Sequence, residues 1–282
     1  MKTYLDCIPC FFRQGLEAAR MATKDEEKQR KVLDEIAKEL PKISLNSTPP
    51  EMGEKIHRIV RQITGSSDPY KKVKDKSNKI ALGLYPQFKE KARKANDPLL
   101  MGIRMAIAGN IIDFGINNAH IDIEQETEKI LKQDFAIFNY AQFKKALDST
   151  EELLYIADNS AEVVFDRVLI EVIVEESNKK VTYVVREKPV INDAIIEDAL
   201  FCGIDKVAQI ISSGSDGPGT FLPSAKDEFL TYFNRAKLII SKGQGNYETL
   251  SGEDKPIFFL LKAKCPVIAR DLGCKEGDIV LK

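Results

Sequence analysis

From about residue 150 onward, short aliphatic runs alternate with helical stretches, and this restricts the fold more than any other feature of the chain. The runs are Leu153–Ile156, Val181–Val185, Val207–Ile211, Lys237–Ile240 and Ile257–Leu261. Continuous Val/Ile/Leu runs of this length read as strands buried on both faces. Helical stretches between them, such as 160–176 and 223–234, make βαβ units and a mostly parallel sheet. The first ~120 residues carry helical periodicity instead. Thr23-Lys24-Asp25-Glu26 reads as a capping box. Val32, Leu33, Ile36, Ala37 and Leu40 keep helical spacing up to Pro41, and Ile56, Val60 and Ile63 form a stripe closed near Gly65. Asp97-Pro98 opens a further helix from Leu99 to about Ile112, and an acidic helix follows His120 from about Ile123 to Leu131. The expected architecture is an α-helical domain, 1–120, followed by a Rossmann-like α/β/α domain, 121–282.

Net charge is −1 with basic and acidic residues interspersed, so no long-range field draws nucleic acid or an anionic membrane. The apolar runs are too short to span a bilayer, and Asp6 interrupts the N-terminal apolar stretch, so neither a membrane span nor a signal peptide is expected. Five scattered cysteines suit a reduced, cytoplasmic protein. His57 and His120 are the only histidines, and no histidine pair with metal-ligand spacing exists.

In an open parallel sheet, ligands bind beyond the carboxyl ends of the strands. Those positions carry Asp158-Asn159-Ser160, Asn192-Asp193, the loop Ser213 to Thr220, Lys242-Gly243-Gln244-Gly245-Asn246, and Lys262 and Lys264. Asp158, Asn159 and Asp193 offer a hard oxygen set for a divalent ion such as Mg, Mn, Co or Ni. Two carboxylates about 4 Å apart repel by roughly 4 kcal/mol at an effective dielectric near 20, and a cation turns that repulsion into binding. Glycine-rich loops and lysines suit a phosphate. Each piece also has a structural reading. Asp158-Asn159 could cap a helix, Asn192-Asp193 could form a turn, and the Ser213-Gly214 loop and the lysines could be solvated surface. Cys7-x-x-Cys10 alone cannot complete a tetrahedral zinc site, although Cys202, Cys265 or Cys274 could join it, and it reads otherwise as a redox pair or as two half-buried helix cysteines.

The run Asp158-Asn159-Ser160-Ala161-Glu162 with Phe165-Asp166 resembles the damage-control phosphatase family, long catalogued as a domain of unknown function. The resemblance continues through Pro189 to Asp193, Lys242 to Glu248, Lys262 to Pro266, Gly109 to Asp113 and Cys7 to Cys10, and so covers nearly the whole chain. The cysteine pair is similar to a branch found mainly in archaea and bacteria. The resemblance implies a helical domain on a Rossmann-like domain and divalent-metal-dependent hydrolysis of phosphate monoesters, such as sugar phosphates or damaged metabolites. It puts the metal on Asp158, Asn159 and Asp193 and the phosphate near Lys242 to Asn246 and Lys264.

The expected mechanism has a metal-activated water attacking in line, with Lys242, Lys264 and the amides of Gly243 and Gly245 stabilising the phosphoryl oxygens. Glu162 is expected one helical turn beyond Asp158, as a supporting partner or a base. Ser213 and Gly214 are expected at the phosphate loop. Asn110 and Asp113, at i and i+3 on a helix, are expected to roof the site. An S-adenosylmethionine-dependent methyltransferase is the first alternative, opposed by the absence of a glycine-rich turn after the first strand. A haloacid-dehalogenase-type phosphatase lacks its paired aspartates, since that slot reads Ile156-Ala157-Asp158. A non-catalytic metal- or nucleotide-binding module would bind without turnover.

Overall fold

The structure is a computed structural model and describes residues 1–109 and 123–282. Five helices come first: α1 (Cys7–Ala22), α2 (Glu26–Glu39), α3 (Pro49–Thr64), α4 (Lys71–Arg93) and α5 (Pro98–Gly109). After α6 (Ile123–Lys132) come β1 (Phe135–Phe138), α7 (Tyr140–Asp148), β2 (Glu152–Ile156), α8 (Val163–Ser177), β3 (Lys180–Val185), α9 (Ile196–Phe201) and β4 (Gln209–Ser212). The chain then runs through α10 (Asp227–Arg235), β5 (Ile239–Lys242), α11 (Gly243–Leu250), β6 (Ile257–Lys262), α12 (Pro266–Leu272) and β7 (Ile279–Leu281).

The strands form one sheet in the order β1-β7-β6-β5-β2-β3-β4. All neighbours are parallel except β6 and β7. The fold is therefore α/β with a mostly parallel sheet, and the five aliphatic runs are all strands. β4 and β5 each begin two residues later than their runs, which matters below. β1 and β7 were not anticipated: each is only three or four residues long.

Alternate strand residues face opposite ways, so each strand feeds two cores. Leu153 and Tyr155 join α4, α5 and α8 on one face, through Phe88, Ile103, Phe165 and Leu169. Leu154 and Ile156 join α10, α11 and α12 on the other, through Phe233, Tyr247 and Ile268. Gly102 of α5 lets that helix approach α8 closely, because a Cβ there would sit 3.1 Å from Leu169 Cδ1. Helices α1 to α3 share a third cluster, built on Phe11, Ile36, Ile56 and Tyr70 and touching Val267. The helical half of the chain is thus divided: α4 and α5 cover the sheet, and α1 to α3 stand over its edge.

The cap of α2 is Asp25, whose carboxylate accepts from the N–H groups of Glu27 and Lys28 at 3.0 and 3.2 Å. The expected capping box at Thr23 gives way because Asp25, two residues further on, directly precedes the first turn. Among the described residues, no helix is long and apolar enough to cross a membrane.

Candidate active site

Strand β2 lies where the chain reverses direction across the sheet: β3 and β4 continue to one side and β5 and β6 to the other. A crevice opens at the carboxyl ends of strands at such a point. Asp158 and Asn159 follow β2 there, and Asp193 lies in the loop after β3. A short antiparallel bridge ties the two segments together. Ala194 N–H donates to the Asp158 carbonyl and Ser160 N–H to the Asn192 carbonyl, both at 2.8 Å. The three expected ligands therefore do meet, and backbone hydrogen bonds fix their relative position.

Both carboxylates are nearly buried. Burial pushes Asp158 up to about 8, with the Asp193 and Glu162 charges adding to it and Arg186 and Lys264 opposing. Burial also raises Asp193, against the pull of Arg186. Asn159 donates its amide N–H groups to Asp158 Oδ2 at 3.0 Å and Glu162 Oε2 at 3.1 Å.

Arg186 is a residue of this rim that the sequence reading did not single out. It is 1% exposed. Its Nε donates to Asp193 Oδ2 at 2.7 Å and its Nη1 to Thr220 Oγ1 at 2.9 Å. Its Nη2 has no hydrogen-bond partner among the described residues and lies 3.8 Å from Asp158 Oδ1. The signal was its place immediately after β3, at the same rim as the aspartates.

Lys242 is not at the phosphate position expected of it. As the last residue of β5 it is fully buried, and Nζ donates to the Ala106 carbonyl and Asp166 Oδ1 at 2.7 Å and to Glu162. An ammonium has three N–H donors, and all are taken. Burial pulls this lysine down, but Asp166 and Glu162 reverse that and leave it raised. Glu162 is likewise not a free base. It precedes α8, is completely buried, and holds Lys242 and Asn159. Asn246 is buried and clamps the loop by donating to the carbonyls of Ala157 (2.9 Å) and Lys242 (2.8 Å). Ser213 and Gly214 turn away from the rim: a Cβ at Gly214 would meet the Lys226 backbone at 2.7 Å. Asn110 and Asp113 lie outside the described residues.

Gly243, Gly245 and Lys264 stay at the rim. Gly243 has φ +78°, and a Cβ there would fall 1.9 Å from Asp158 Oδ2, so only glycine fits beside that carboxylate. Gly245 and the exposed Lys264 line a cleft of about 520 Å³ together with Asp158, Asn159 and Asp193. Its far wall comes from α1 and α3, with Cys7, Cys10, Phe11 and Pro50.

A model of the damage-control phosphatase ARMT1-like domain matches residues 3–280. The chain belongs to the damage-control phosphatase family. A damage-control phosphatase of Pyrococcus horikoshii is 38% identical, over 99% of this chain and 97% of its own. One of Archaeoglobus fulgidus is 36% identical, over 98% and 97%. An uncharacterized protein of Methanocaldococcus jannaschii is 38% identical, over 98% and 93%. The crystal structure of a DUF89 family protein from P. horikoshii superposes with a TM-score of 0.92 at 38% identity, covering 100% of this chain and 98% of that one.

For this member of the damage-control phosphatase family, charge decides what the rim can hold. Among the described residues, Asp158, Asp193, Glu162 and Asp166 pair with two buried cations, Arg186 and Lys242, while buried Lys74 donates to the Asp193 carbonyl and pairs with Asp68 and Asp198. Burial and the neighbouring carboxylates hold Asp158 and Asp193 above their usual range, and a cation at the rim would favour their charged forms. Among the described residues, no three His, Cys, Asp or Glu side chains are placed to hold a metal. The candidate set therefore has two carboxylates and needs the Asn159 amide as its third donor.

Proposed function

We propose that the chain is a metal-dependent phosphatase hydrolysing small phosphate monoesters, with Mn, Mg, Co or Ni held by Asp158, Asn159 and Asp193. One observation carries this reading: two carboxylates distant along the chain and an amide are bridged into one buried rim, where burial and neighbouring carboxylates raise both aspartates. All-oxygen donors suit hard divalent ions. When bound, such an ion would polarise a phosphoryl oxygen and acidify a water molecule.

The protein's part is positioning and charge. Arg186 holds the Asp193 carboxylate in one orientation through Nε. Glu162 and Asp158 fix the Asn159 side chain. Lys242, beneath the rim, holds Glu162 in turn. Lys264 stands exposed at the cleft, where its ammonium can meet phosphate oxygens, and the Gly245 amide lines the same space. The cleft's size suits a metabolite and not a polymer.

The test is hydrolysis of a panel of sugar phosphates and an aryl phosphate with each of the four metals. Turnover should appear only with metal and should vanish in Asp158→Ala. Equal turnover by that variant would remove Asp158 from the mechanism.

A further inference from the structure

The phosphatase reading leaves Cys7-Ile8-Pro9-Cys10 without a task, yet Cys7 and Cys10 line the same cleft as Asp158. They open α1, and a spacing of three places them on one helix face with Cβ atoms roughly 5–6 Å apart. A disulfide takes Cβ atoms about 3.5–4.5 Å apart, so closure needs a shift of about 1–2 Å within one turn. That turn yields readily. The N–H groups of Cys7 and Ile8 donate to Tyr4 and Leu5 in short turns, at 2.9 and 3.0 Å, and Pro9 has no N–H to lose.

The two thiols differ in access. Cys10 is exposed, and Arg13 Nη2 donates to its sulfur at 3.5 Å. Cys7 is buried in the cluster with Phe11 and Val267. Burial pushes its thiol up, and the nearby Glu248, Cys265 and Cys10 add to that against the Tyr4 backbone bond. A reachable thiol next to a sheltered one suits stepwise exchange, in which the first takes a partner from solution and the second resolves it. A soft-metal site is disfavoured, because among the described residues no third thiol, imidazole or carboxylate is placed to complete one.

We propose that Cys10 and Cys7 form a dithiol which small-molecule disulfides oxidise to an intrahelical disulfide, and that this bond reshapes the cleft wall and weakens substrate binding. Cys10 gives its proton to solvent and attacks one sulfur of the small disulfide; a mixed disulfide forms and the first small thiolate leaves. Cys7 then loses its proton and attacks the Cys10 sulfur, breaking the mixed bond and expelling the second small thiolate. Two electrons pass from the dithiol to the small disulfide, and the two released thiolates take up two protons. Bond formation draws the Cys7 sulfur out of its apolar cluster, so the wall near Phe11 and Cys265 repacks. Ile191 of the loop after β3 packs against that cluster, but Asp158, Asn159 and Asp193 are held in place by the backbone bridge between the two loops. KM should therefore rise while kcat holds, a consequence that rests on the phosphatase reading.

The experiment equilibrates the full chain with reduced and oxidised glutathione over a range of ratios, traps free thiols by alkylation, and maps the peptides by mass. Cys7 and Cys10 should leave the alkylated pool together, as one peptide lighter by two hydrogens. Cys7→Ser should stop at a glutathione adduct on Cys10. Alkylation of both thiols at every ratio, or a bridge from either to Cys265, overturns the proposal, and the unmodified sequence decides this without any variant. Against an aryl phosphate, the oxidised form should show a several-fold higher KM that dithiothreitol restores. An unchanged KM overturns the gating half. If neither redox form hydrolyses the ester, the phosphatase reading falls, and the thiol map alone decides the dithiol.

Discussion

Asp158 and Asp166 are both buried aspartates flanking Glu162 in the sequence, and their surroundings differ. Asp166 accepts from Tyr155 at 2.7 Å, from Tyr183 at 2.8 Å and from the Lys242 ammonium at 2.7 Å. Its carboxylate is closed on all sides, and it forms a pedestal. Asp158 accepts from the Asn159 amide at 3.0 Å, lies 3.8 Å from the Arg186 guanidinium, and lines the cleft. The same residue type serves as an internal support where it is enclosed, and on the proposed reading as a metal ligand where it faces a cleft.

Substitution of Asp158 itself and of Lys242, the cation on Asp166, tests that contrast most strongly. Asp158→Asn should lower kcat/KM on the order of 10³-fold, the scale for removing a group that stabilises transition-state charge. Urea unfolding of the metal-free variant should show stability equal to or above the parent, because a repulsive buried charge is gone. A loss of several kcal/mol there would make Asp158 a structural residue like Asp166 and break the comparison. Lys242→Met should behave in the opposite way. It strands Glu162 and Asp166 without their cation, and unfolding should show a cost of about 3–5 kcal/mol with or without metal.

What could be read from the sequence follows the same division. Asp158 and Asn159 were legible as the first polar residues beyond an aliphatic run, where α/β sheets open their crevices, and Asp193 as part of the Asn192-Asp193 pair further along the loop after the next run. The runs themselves were legible because strands buried on both faces have no polar alternation. Lys242 was misread because β5 starts two residues beyond its run, which moves this lysine from a solvated loop to the buried strand end. Its partners Glu162 and Asp166 are 80 and 76 positions away, a pairing that no local pattern shows. Arg186 was hidden within Arg186-Glu187-Lys188, three charged residues that read as surface, although only the first is buried. Ser213 and Gly214 looked like a phosphate loop by composition, but the loop bends so that Pro218 reaches the cleft instead.

Arg186→Lys sharpens the comparison at the rim. A lysine keeps the charge but loses the fork that reaches Asp193, Thr220 and the side of Asp158 at once. Calorimetric titration with Mn²⁺ should show affinity lower by about 10–100-fold, the usual effect of removing a group that orients a metal ligand. Unchanged affinity would mean that the backbone bridge between Asn159 and Asp193 aligns the donors without help.

The smallest expected effect probes the pedestal. Tyr183→Phe removes the phenol that donates to Asp166 Oδ2 but leaves Tyr155 and Lys242 on Oδ1. A buried acceptor oxygen then loses its hydrogen bond, at a cost of about 1–2 kcal/mol in urea unfolding. Because Lys242 still spans Asp166 and Glu162, the position of Asn159 is unchanged, and metal affinity should stay within about twofold, inside the scatter expected for independent sites. A parallel fall in metal affinity would mean that the pedestal transmits its strain to the rim through Glu162, so that the two carboxylate groups act as one unit.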